Sequence, residues 1–413
     1  MAEPFPFEDA LAAVRGASCD PSPVEETDLA SAIGRILAAD LRADGPWPST
    51  DRSAMDGFAF AASSGVGEGT ELRVVGESLA GHPFGGAVRK GEAVRIMTGA
   101  VVPAGADTVV PVEKTSGFEG SAVRLLARVA EGANVRREGS ERSRGQLLLA
   151  AGTRIGPAEI GALAVLGRTT VPVHRRPLVA IAATGDEVVP VDRVPLPHQL
   201  RESNSHALAA KAGACGAETL VLGIAPDEPR GLANVLEEGL RRADLLLTVG
   251  GVSAGTRDLV PSVLKALGVE PVFHGVALKP GKPTLFGRST GPGARFAFGL
   301  PGNPLSCLTV FDLLVRPLLL RLGGDRDPLA RHRVRLRAEG LRPSARLRAM
   351  PARLSLRGEA LAEPLPPAPS GDPFALLRAD GYALIPAGVE PRNGVEVDFV
   401  PCTSASSSRI PAR

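Results

Sequence analysis

The chain has 413 residues, of which 44% are hydrophobic and 4% aromatic, and its formal net charge is +2. This length exceeds what one hydrophobic core usually supports, so we expect two to four domains. Its 47 basic and 45 acidic residues are too evenly balanced for a protein that binds nucleic acid by displacing counterions. No stretch approaches the roughly 18 apolar residues of a membrane helix, and residues 1–8 lack the pattern of a signal peptide. We therefore expect a cytoplasmic protein with neither nucleic acid nor a membrane as partner.

The number and spacing of the cysteines and lysines limit the kinds of site that we expect in this protein. The four cysteines lie far apart, with no CxxC pair and no histidine at zinc-ligand spacing, which argues against structural zinc and against a disulfide framework. Only six of the 47 basic residues are lysines. Since the chain uses arginine wherever either cation serves, a retained lysine indicates a position where the chemistry requires it.

The first elements in chain order are helical. Residues 6–41 carry apolar side chains at helical spacing and predict two helices, over FEDALAAVRGA and over ETDLASAIGRILAADL. Residues 51–145 then change to short β-like runs separated by glycine-rich turns, and a further helix is predicted over 157–166. We therefore assign residues 1–50 with 146–176 to an N-terminal helical and linker domain, and residues 51–145 to an inserted β-rich domain.

Residues 177–322 alternate aliphatic runs with amphipathic segments. Strands are predicted over 178–182, 219–223, 245–249, 271–276 and 295–298, with helices over 203–212, 229–241, 258–267 and 304–320. Strands without polar alternation, each followed by a helix, indicate a parallel sheet covered on both faces. Ligands of such sheets bind beyond the carboxyl ends of the strands.

The remaining chain predicts a smaller all-β unit. Residues 323–402 are rich in arginine and proline and contain several short strand candidates, which indicates a small β barrel or sandwich. We expect residues 403–413 to form a disordered tail. The predicted fold class is thus α/β and multidomain, with a central parallel-sheet domain, a helical and β N-terminal region, a small β-rich domain and a C-terminal β barrel.

Acidic residues and glycines collect at the predicted strand ends of the α/β domain. They are Thr184, Gly185 and Glu187 after the first strand, Asp227 after the second, and Gly250, Gly251, Ser253, Gly255 and Asp258 after the third. A glycine-rich turn entering a helix presents backbone N–H groups to an oxyanion, although a tight structural turn explains the same glycines. Three carboxylates on one rim suggest a divalent cation with oxygen ligands, most simply Mg²⁺, whereas each one singly is equally well explained as a helix cap.

Two further turns border the same predicted cleft. KPGKP holds two of the six lysines, Lys279 and Lys282, in a turn stiffened by proline, and we favour oxyanion binding over a solvated turn. GLPGNPLS follows the last strand and supplies Pro301, Asn303 and Ser306, which we expect to form the floor of the cleft.

Four polar residues outside the α/β domain lie in short motifs of their own. Asp56 lies beside a glycine in SAMDG, Thr98 ends RIMT, and Arg136 and Glu141 lie in VRREGSE. From the residues alone, a charged surface is the usual explanation of such groups.

Taken together, these motifs resemble the molybdopterin molybdenumtransferase family, known as MoeA in bacteria and as the E domain of gephyrin in animals. The similarity runs through SAMDG, RIMTG, PAGADTVV, TGDE, ESN, GGVSAG, KPGKP and GLPGNP to the C-terminal β region. The resemblance implies a molybdopterin-binding domain at 177–322 and an elongated homodimer. In that dimer Asp56 and Glu141 of one subunit would face Glu187, Asp227 and Asp258 of the other.

The resemblance also implies a reaction. Molybdenum from molybdate would be inserted into adenylylated molybdopterin with release of AMP, with Mg²⁺ as cofactor and the molybdopterin adenylyltransferase as a candidate partner protein. The catalytic residues would be Asp56, Glu187, Asp258, Lys279 and Lys282. Metal ligands would be Glu187, Asp227, Asp258 and Glu141. The ligand-binding residues would be Thr98, Arg136, Thr184, Gly185, Gly250, Gly251, Ser253, Gly255, Pro301, Asn303 and Ser306.

The sequence departs from the family pattern in three places, one of which is that the arginine usually found a few residues beyond Arg346 aligns near Pro351. The usual GED reads Gly139, Ser140, Glu141, and the last domain carries Phe374 and Ala375 where hydroxyl side chains are common. A molybdopterin-binding scaffold without transfer activity is therefore one alternative. A molybdopterin adenylyltransferase-like enzyme is another, although such an enzyme does not need the domains that carry SAMDG and RIMTG. Neither a choice between molybdate and tungstate nor a recipient enzyme follows from the sequence.

Overall fold

The computed structural model describes residues 3–17, 19–62, 66–252, 258–290, 295–325, 330–338, 340–356 and 358–403. The chain divides into two compact units. Unit 1 comprises Met1–Ala39, Gly152–Ala164 and Arg168–Arg413, and unit 2 comprises Asp40–Ala151 with Val165–Gly167. The finer division into the domains expected from sequence stays a prediction.

Unit 1 begins with the first predicted helix. Helix α1 (Phe7–Gly16) buries Phe7, Ala10, Leu11 and Val14, which lie on one helical face. The second predicted helix is wrong, because its residues form strand β1 (Val24–Asp28) and only a short helix α2 (Leu29–Ala32). Asp28 caps α2 by accepting a hydrogen bond from the Ser31 N–H at 2.8 Å, and the chain turns away at Gly34, where φ is +75°.

Unit 2 is built from short strands, as the sequence predicts. They are β2 (Leu41–Arg42), β3 (Arg52–Ser53), β4 (Gly57–Phe60), β5 (Glu71–Ser78), β6 (Glu92–Ile96), β7 (Thr108–Pro111), β8 (Ala122–Arg124), β9 (Val135–Arg136) and β10 (Leu147–Leu149). Five of them form a sheet in the order β7-β4-β6-β5-β8, while β2 pairs with β10 and β3 with β9. Phe58 and Phe60 of the fully buried β4 anchor the core of this unit.

Unit 1 resumes with an alternation of strands and helices. The elements are α3 (Pro157–Val165), β11 (Thr170–His174), β12 (Leu178–Thr184), β13 (Val188–Val189), β14 (Leu200–Arg201), α4 (Asn204–Ala214), β15 (Glu218–Ala225), α5 (Pro229–Arg242), β16 (Leu245–Val249), α6 (Val260–Ala266), β17 (Val269–His274), β18 (Leu278–Lys279), β19 (Leu285–Ser289), β20 (Phe296–Leu300), α7 (Pro304–Val310) and α8 (Arg316–Leu322). A π-helical turn, Phe311–Val315, joins α7 to α8. Strand β11 pairs antiparallel with β1.

The central sheet has six strands in the order β15-β12-β16-β20-β19-β17. The first four are parallel, and helices cover both faces, with separate cores on each. The expectation of a wholly parallel sheet is wrong at one side, because β19 pairs antiparallel with both β20 and β17. Only residues 275–284 connect β17 to β19, which favours this antiparallel pairing, since a parallel return needs a crossover of about a dozen residues or more.

The C-terminal elements form a small closed barrel. Its strands are β21 (His332–Leu336), β22 (Leu347–Ser355), β23 (Leu361–Pro364), β24 (Gly381–Ile385) and β25 (Glu396–Pro401). They follow the order β18-β22-β23-β21-β25-β24, and the additional pairing of β22 with β24 closes the barrel. Most of the predicted tail, residues 404–413, lies outside the described residues. Within the described ranges no helix is long and apolar enough to cross a membrane.

Candidate functional site

Glycines let the carboxyl ends of the parallel strands approach closely. Gly250 follows β16 with φ of +91°, and its N–H donates to the Leu300 carbonyl at 3.0 Å. A Cβ at Gly250 would lie 2.6 Å from the Thr184 carbonyl oxygen, closer than real contacts allow. Gly251 and Gly185 also have positive φ, at +62° and +132°. Glycine at these positions is therefore required by the geometry of the strand ends.

The predicted acidic residues lie along this rim. Thr184, the last residue of β12, donates its hydroxyl to an oxygen of Asp227 at 3.3 Å. Glu187 and Asp227 are exposed, and Asp258 is half-buried just before α6. The Glu187 carboxylate lies over Gly185, where a Cβ would meet its Oε2 at 2.6 Å. Ser253 and Gly255, from the same glycine-rich turn, lie outside the described residues.

The carboxylates of this rim do not form a ready-made metal cluster. Across the described ranges, no group of three or more His, Cys, Asp or Glu side chains lies close enough together to hold a metal ion. The remaining predicted ligand, Glu141, belongs to unit 2. All the donors offered here are nevertheless carboxylate or hydroxyl oxygens, which suit a hard cation such as Mg²⁺.

The KPGKP turn is held rigidly by backbone hydrogen bonds. Its lysines both lie on the exposed side of the turn. Strand β18 pairs in parallel with β22, which places Lys279 opposite Arg348 in register. The Lys282 carbonyl accepts from the N–H groups of Val276 and Thr284, each at 2.9 Å. Gly281, with φ of +121°, lies against Val310, where a Cβ would approach to 2.7 Å. These hydrogen bonds and this packing hold the backbone of both lysines in one rigid turn.

The two lysines open onto a cavity in unit 1 with a volume of about 1060 Å³. Its walls come from the KPGKP and PGNP turns on one side and from the barrel on the other. Six cationic side chains and one acidic side chain line it, namely Lys279, Lys282, Arg346, Arg348, Arg353, Arg378 and Asp372. Cations on low-dielectric walls attract anions strongly, so the cavity is suited to an oxyanion.

The PGNP turn forms part of the cavity, as the sequence predicts. Pro301, Asn303 and Ser306 all line it. The Asn303 amide donates to the Ser370 hydroxyl at 3.1 Å, and the Leu305 N–H donates to the Ser370 carbonyl at 3.0 Å. These bonds join the start of α7 to the segment that carries Phe374 and Ala375, which also line the cavity.

Sequence reasoning missed the arginines of the barrel wall. Arg348, Arg353 and Arg378 received no role, although they line the cavity together with the lysines. The alternation of Arg346 and Arg348 in ARLRAM, which puts both on one face of a strand, was the available signal. Asn204 was missed as well, and its amide donates to the Gly302 carbonyl at 2.8 Å, tying α4 to the PGNP turn.

Unit 2 holds the remaining predicted residues in two groups. Asp56 accepts hydrogen bonds from both the N–H and the hydroxyl of Thr98, each at 2.7 Å, and these bonds lower the pKa of its carboxyl below the usual range. Asp56 is therefore a fixed, ionised carboxylate on an exposed surface. Arg136 forms an ion pair with Glu141, at the position where the motif departs from the family pattern.

Three family models match the chain in order. They are the MoeA N-terminal region (domain I and II) over residues 5–167, a probable molybdopterin binding domain over residues 180–321, and the MoeA C-terminal region (domain IV) over residues 333–402. Together they span most of the sequence.

Curated relatives and solved structures agree with these models. The molybdopterin molybdenumtransferase of Nostoc sp. is 39% identical over 304 residues, which cover 73% of this chain and 70% of the relative. Molybdopterin molybdenumtransferase 1 of Mycobacterium tuberculosis is 34% identical over 421 aligned residues, which cover 95% and 97%. A crystal structure of a molybdopterin biosynthesis MoeA protein from Pyrococcus horikoshii matches with a TM-score of 0.82 at 33% identity, covering 97% of this chain and 99% of that one.

Proposed function

The chain belongs to the MoeA family of molybdopterin molybdenumtransferases, and from this membership we propose that it inserts molybdenum from molybdate into adenylylated molybdopterin. The observation that carries the proposal is the cavity in which six cations face one acid. Molybdate is a compact dianion, and both the phosphates and the oxyanion of this reaction carry negative charge. A cavity with this excess of positive charge binds and orients such groups.

Lys279 and Lys282 bind the oxyanion in this proposal. Their ammonium groups act as compact point charges held on one rigid turn, and Arg348 adds a third cation beside Lys279. The cavity volume of about 1060 Å³ exceeds what a tetrahedral oxyanion needs, so it also leaves space for part of the pterin. Molybdate held here would form two Mo–S bonds to the dithiolene sulfurs of the pterin, and one oxo group would leave as water with the two sulfhydryl protons.

In this proposal the rim at the strand ends binds the phosphoanhydride of the substrate, which is broken there. Backbone N–H groups of the glycine-rich turn after β16 bind phosphate, and Thr184 holds Asp227 at the rim. Breakage of the phosphoanhydride by water yields AMP and the pterin phosphate. Carboxylates alone would repel such a substrate, and Mg²⁺ when bound would offset this charge.

The rim residues can hold Mg²⁺ only if phosphate oxygens of the substrate help to complete its coordination shell. Mg²⁺ in proteins commonly uses one or two carboxylates and completes its shell with phosphate oxygens and water. We propose that Glu187 and Asp258 supply the carboxylate ligands of Mg²⁺ and that Asp227 lies at the edge of this metal site. This matches a rim without a preassembled three-carboxylate cluster among the described residues.

We further propose that the working enzyme is a homodimer with composite sites. Asp56, held ionised by Thr98, would face the rim of the partner subunit and orient the attacking water or the metal. Glu141 would contribute from the same side and Arg136 would contact the ligand. We also propose that the enzyme is cytoplasmic and that the molybdopterin adenylyltransferase delivers its substrate.

The experiment is a single-turnover assay with purified protein, adenylylated molybdopterin, Mg²⁺ and molybdate. We expect AMP and metallated pterin in equal amounts, with both dependent on molybdate. Binding of the adenylylated pterin without AMP release would instead indicate the scaffold alternative. Formation of adenylylated pterin and pyrophosphate from ATP and molybdopterin would indicate the adenylyltransferase alternative.

A further inference from the structure

A buried polar cluster lies in unit 1 outside the cavity. Its centre is Asp312, which is 0% exposed and lies in the π-helical turn between α7 and α8. The Asp312 carboxylate accepts hydrogen bonds from the Lys211 ammonium at 2.7 Å, the Tyr382 hydroxyl at 3.0 Å and the Thr403 N–H at 3.1 Å. π-helical turns are rare and occur preferentially at functional positions.

The cluster joins two parts of unit 1. Lys211 on α4 and Asp312 belong to the α/β part, whereas Tyr382 on β24 and Thr403 after β25 belong to the barrel. Arg316, one turn beyond Asp312, extends the junction by donating to the Pro401 carbonyl at 2.9 Å and the Thr403 hydroxyl at 3.2 Å. Every one of these bonds is directional.

Burial of the Lys211 and Asp312 charges is not explained by stability alone. The desolvation of two charges largely cancels their attraction, and apolar residues of similar volume often hold a fold as well. Lys211 is also one of the six lysines in a chain that prefers arginine. What the cluster provides beyond apolar packing is a single fixed orientation of the barrel.

Tyr382 connects this junction to the cavity wall. It pairs with Pro351 on β22, the strand that also carries Arg348 and Arg353. The opposite edge of β22 is bound to β18, which carries Lys279. Strand β22 therefore lies between two fixed neighbours, and a shift at Tyr382 would move its arginines relative to the lysines.

We propose that Asp312 is a positioning residue that sets the distance between the arginines of β22 and the lysines of the KPGKP turn. The inference rests on the proposed function of the cavity. Asp312 does not line the cavity and acts through Tyr382 and β22.

The hydroxyl and the thiols near Asp312 stay protonated near neutral pH. Burial raises the pKa of the Tyr382 hydroxyl well above its usual value, with further contributions from Cys402 and Asp312, so this group stays a hydrogen-bond donor. Burial likewise raises the pKa of Cys402 to about 12 and that of Cys215 to about 11.

The test compares Tyr382→Phe with wild type in molybdate-dependent turnover. Tyr382→Phe removes only the hydroxyl and leaves the Lys211 to Asp312 ion pair in place. We expect the KM for molybdate to rise by about tenfold with a smaller change in kcat, since displaced arginines would weaken binding of the anion in the ground state and the transition state alike. Asp312→Asn should raise the KM further, and calorimetric titration with molybdate alone should show the same weakening.

Val334→Ala is the matched control, because Val334 is buried in the barrel core and does not line the cavity. It should lower Tm without altering the molybdate KM. A Tyr382→Phe protein with a lowered Tm and a molybdate KM within twofold of wild type would reduce Asp312 to a structural role. Lys279→Ala is measured alongside, and if it also leaves the molybdate KM unchanged, the assignment of the cavity itself is what fails.

Discussion

The cationic cavity and the acidic rim of unit 1 are organised in different ways. The cavity lysines are fixed by the pairing of β18 with β22 and by the packing of Gly281 on Val310. Glu187 and Asp227 on the rim are exposed, and no described group of three acids is gathered to hold a metal. The cations are thus assembled by the fold of one chain, whereas the described carboxylates of the rim are not gathered into a cluster by that fold.

The physical reason lies in the charges themselves. Cations on an arginine-rich barrel can be held apart by backbone ladders, which limits their mutual repulsion. Clustered carboxylates repel one another and raise each other's pKa values unless a cation is present.

The largest effect is expected from the cavity lysines. Lys279→Arg and Lys282→Arg keep the charge, but a planar guanidinium cannot occupy the place of an ammonium without shifting the anion. We expect at least one of them to bind the adenylylated pterin within a few-fold of wild type and to lose about a hundredfold in molybdate-dependent turnover. Lys265→Arg, on the exposed face of α6, is the control. Wild-type rates for both variants across molybdate concentrations would contradict the assignment.

A smaller effect is expected at the rim. Asp258→Asn removes one carboxylate and should raise the Mg²⁺ concentration needed for half-maximal turnover by about tenfold, which is equivalent to roughly 1.4 kcal/mol. Thermal unfolding of the metal-free protein should be nearly unchanged, because asparagine keeps the size of the side chain and a carbonyl oxygen that accepts hydrogen bonds. Glu237→Gln on α5 serves as control. Normal metal dependence with a clear loss of stability would assign Asp258 to helix capping.

Subunit mixing tests whether the rim is completed by a partner. Asp56→Ala and Glu187→Ala should each be nearly inactive, yet an exchanging mixture should recover activity, because one site of each heterodimer keeps both carboxylates. With equal amounts and free exchange, about one quarter of wild-type activity is expected on this symmetry argument. Activity is measured before and after mixing, with exchange verified by differently tagged subunits. Proven exchange without recovery would exclude shared sites.

The contrast also explains how much the sequence could predict. The alternation of strands and helices over residues 177–322 follows from local patterns, and β16 was predicted with the bounds observed. The polar run VEETD, by contrast, forms β1 only through its pairing with β11, about 150 residues further along the chain, which no local pattern encodes. The antiparallel reversal was missed for a different reason, because β19 itself was not among the predicted strands.

The site residues also differ in whether a local sequence pattern reveals them. Lys279 and Lys282 could be proposed from the sequence because their turn and their rarity are visible there. Arg348, Arg353 and Arg378 meet them only through the closure of the barrel. The junction at Asp312 was missed entirely, since its partners lie about 70 to 100 positions away in the chain.

The smallest effect tests whether the barrel is as firmly seated as the cavity requires. Burial raises the pKa of Cys215 to about 11 and that of Cys402 to about 12, and both thiols lie near Asp312 at the junction. In the native protein, alkylation by iodoacetamide should therefore be slow at pH 8 and accelerate only as the pH approaches 11, because the thiolate is the reactive form. The raised pKa values favour folding fully below the unfolded value near 9 and lose that contribution as the pH rises through the folded values. Denatured protein, in which both thiols titrate normally, provides the reference rate. Alkylation of native Cys215 and Cys402 at the denatured rate at pH 8 would mean that the barrel separates readily from the α/β part, and the cavity could not then be called preassembled.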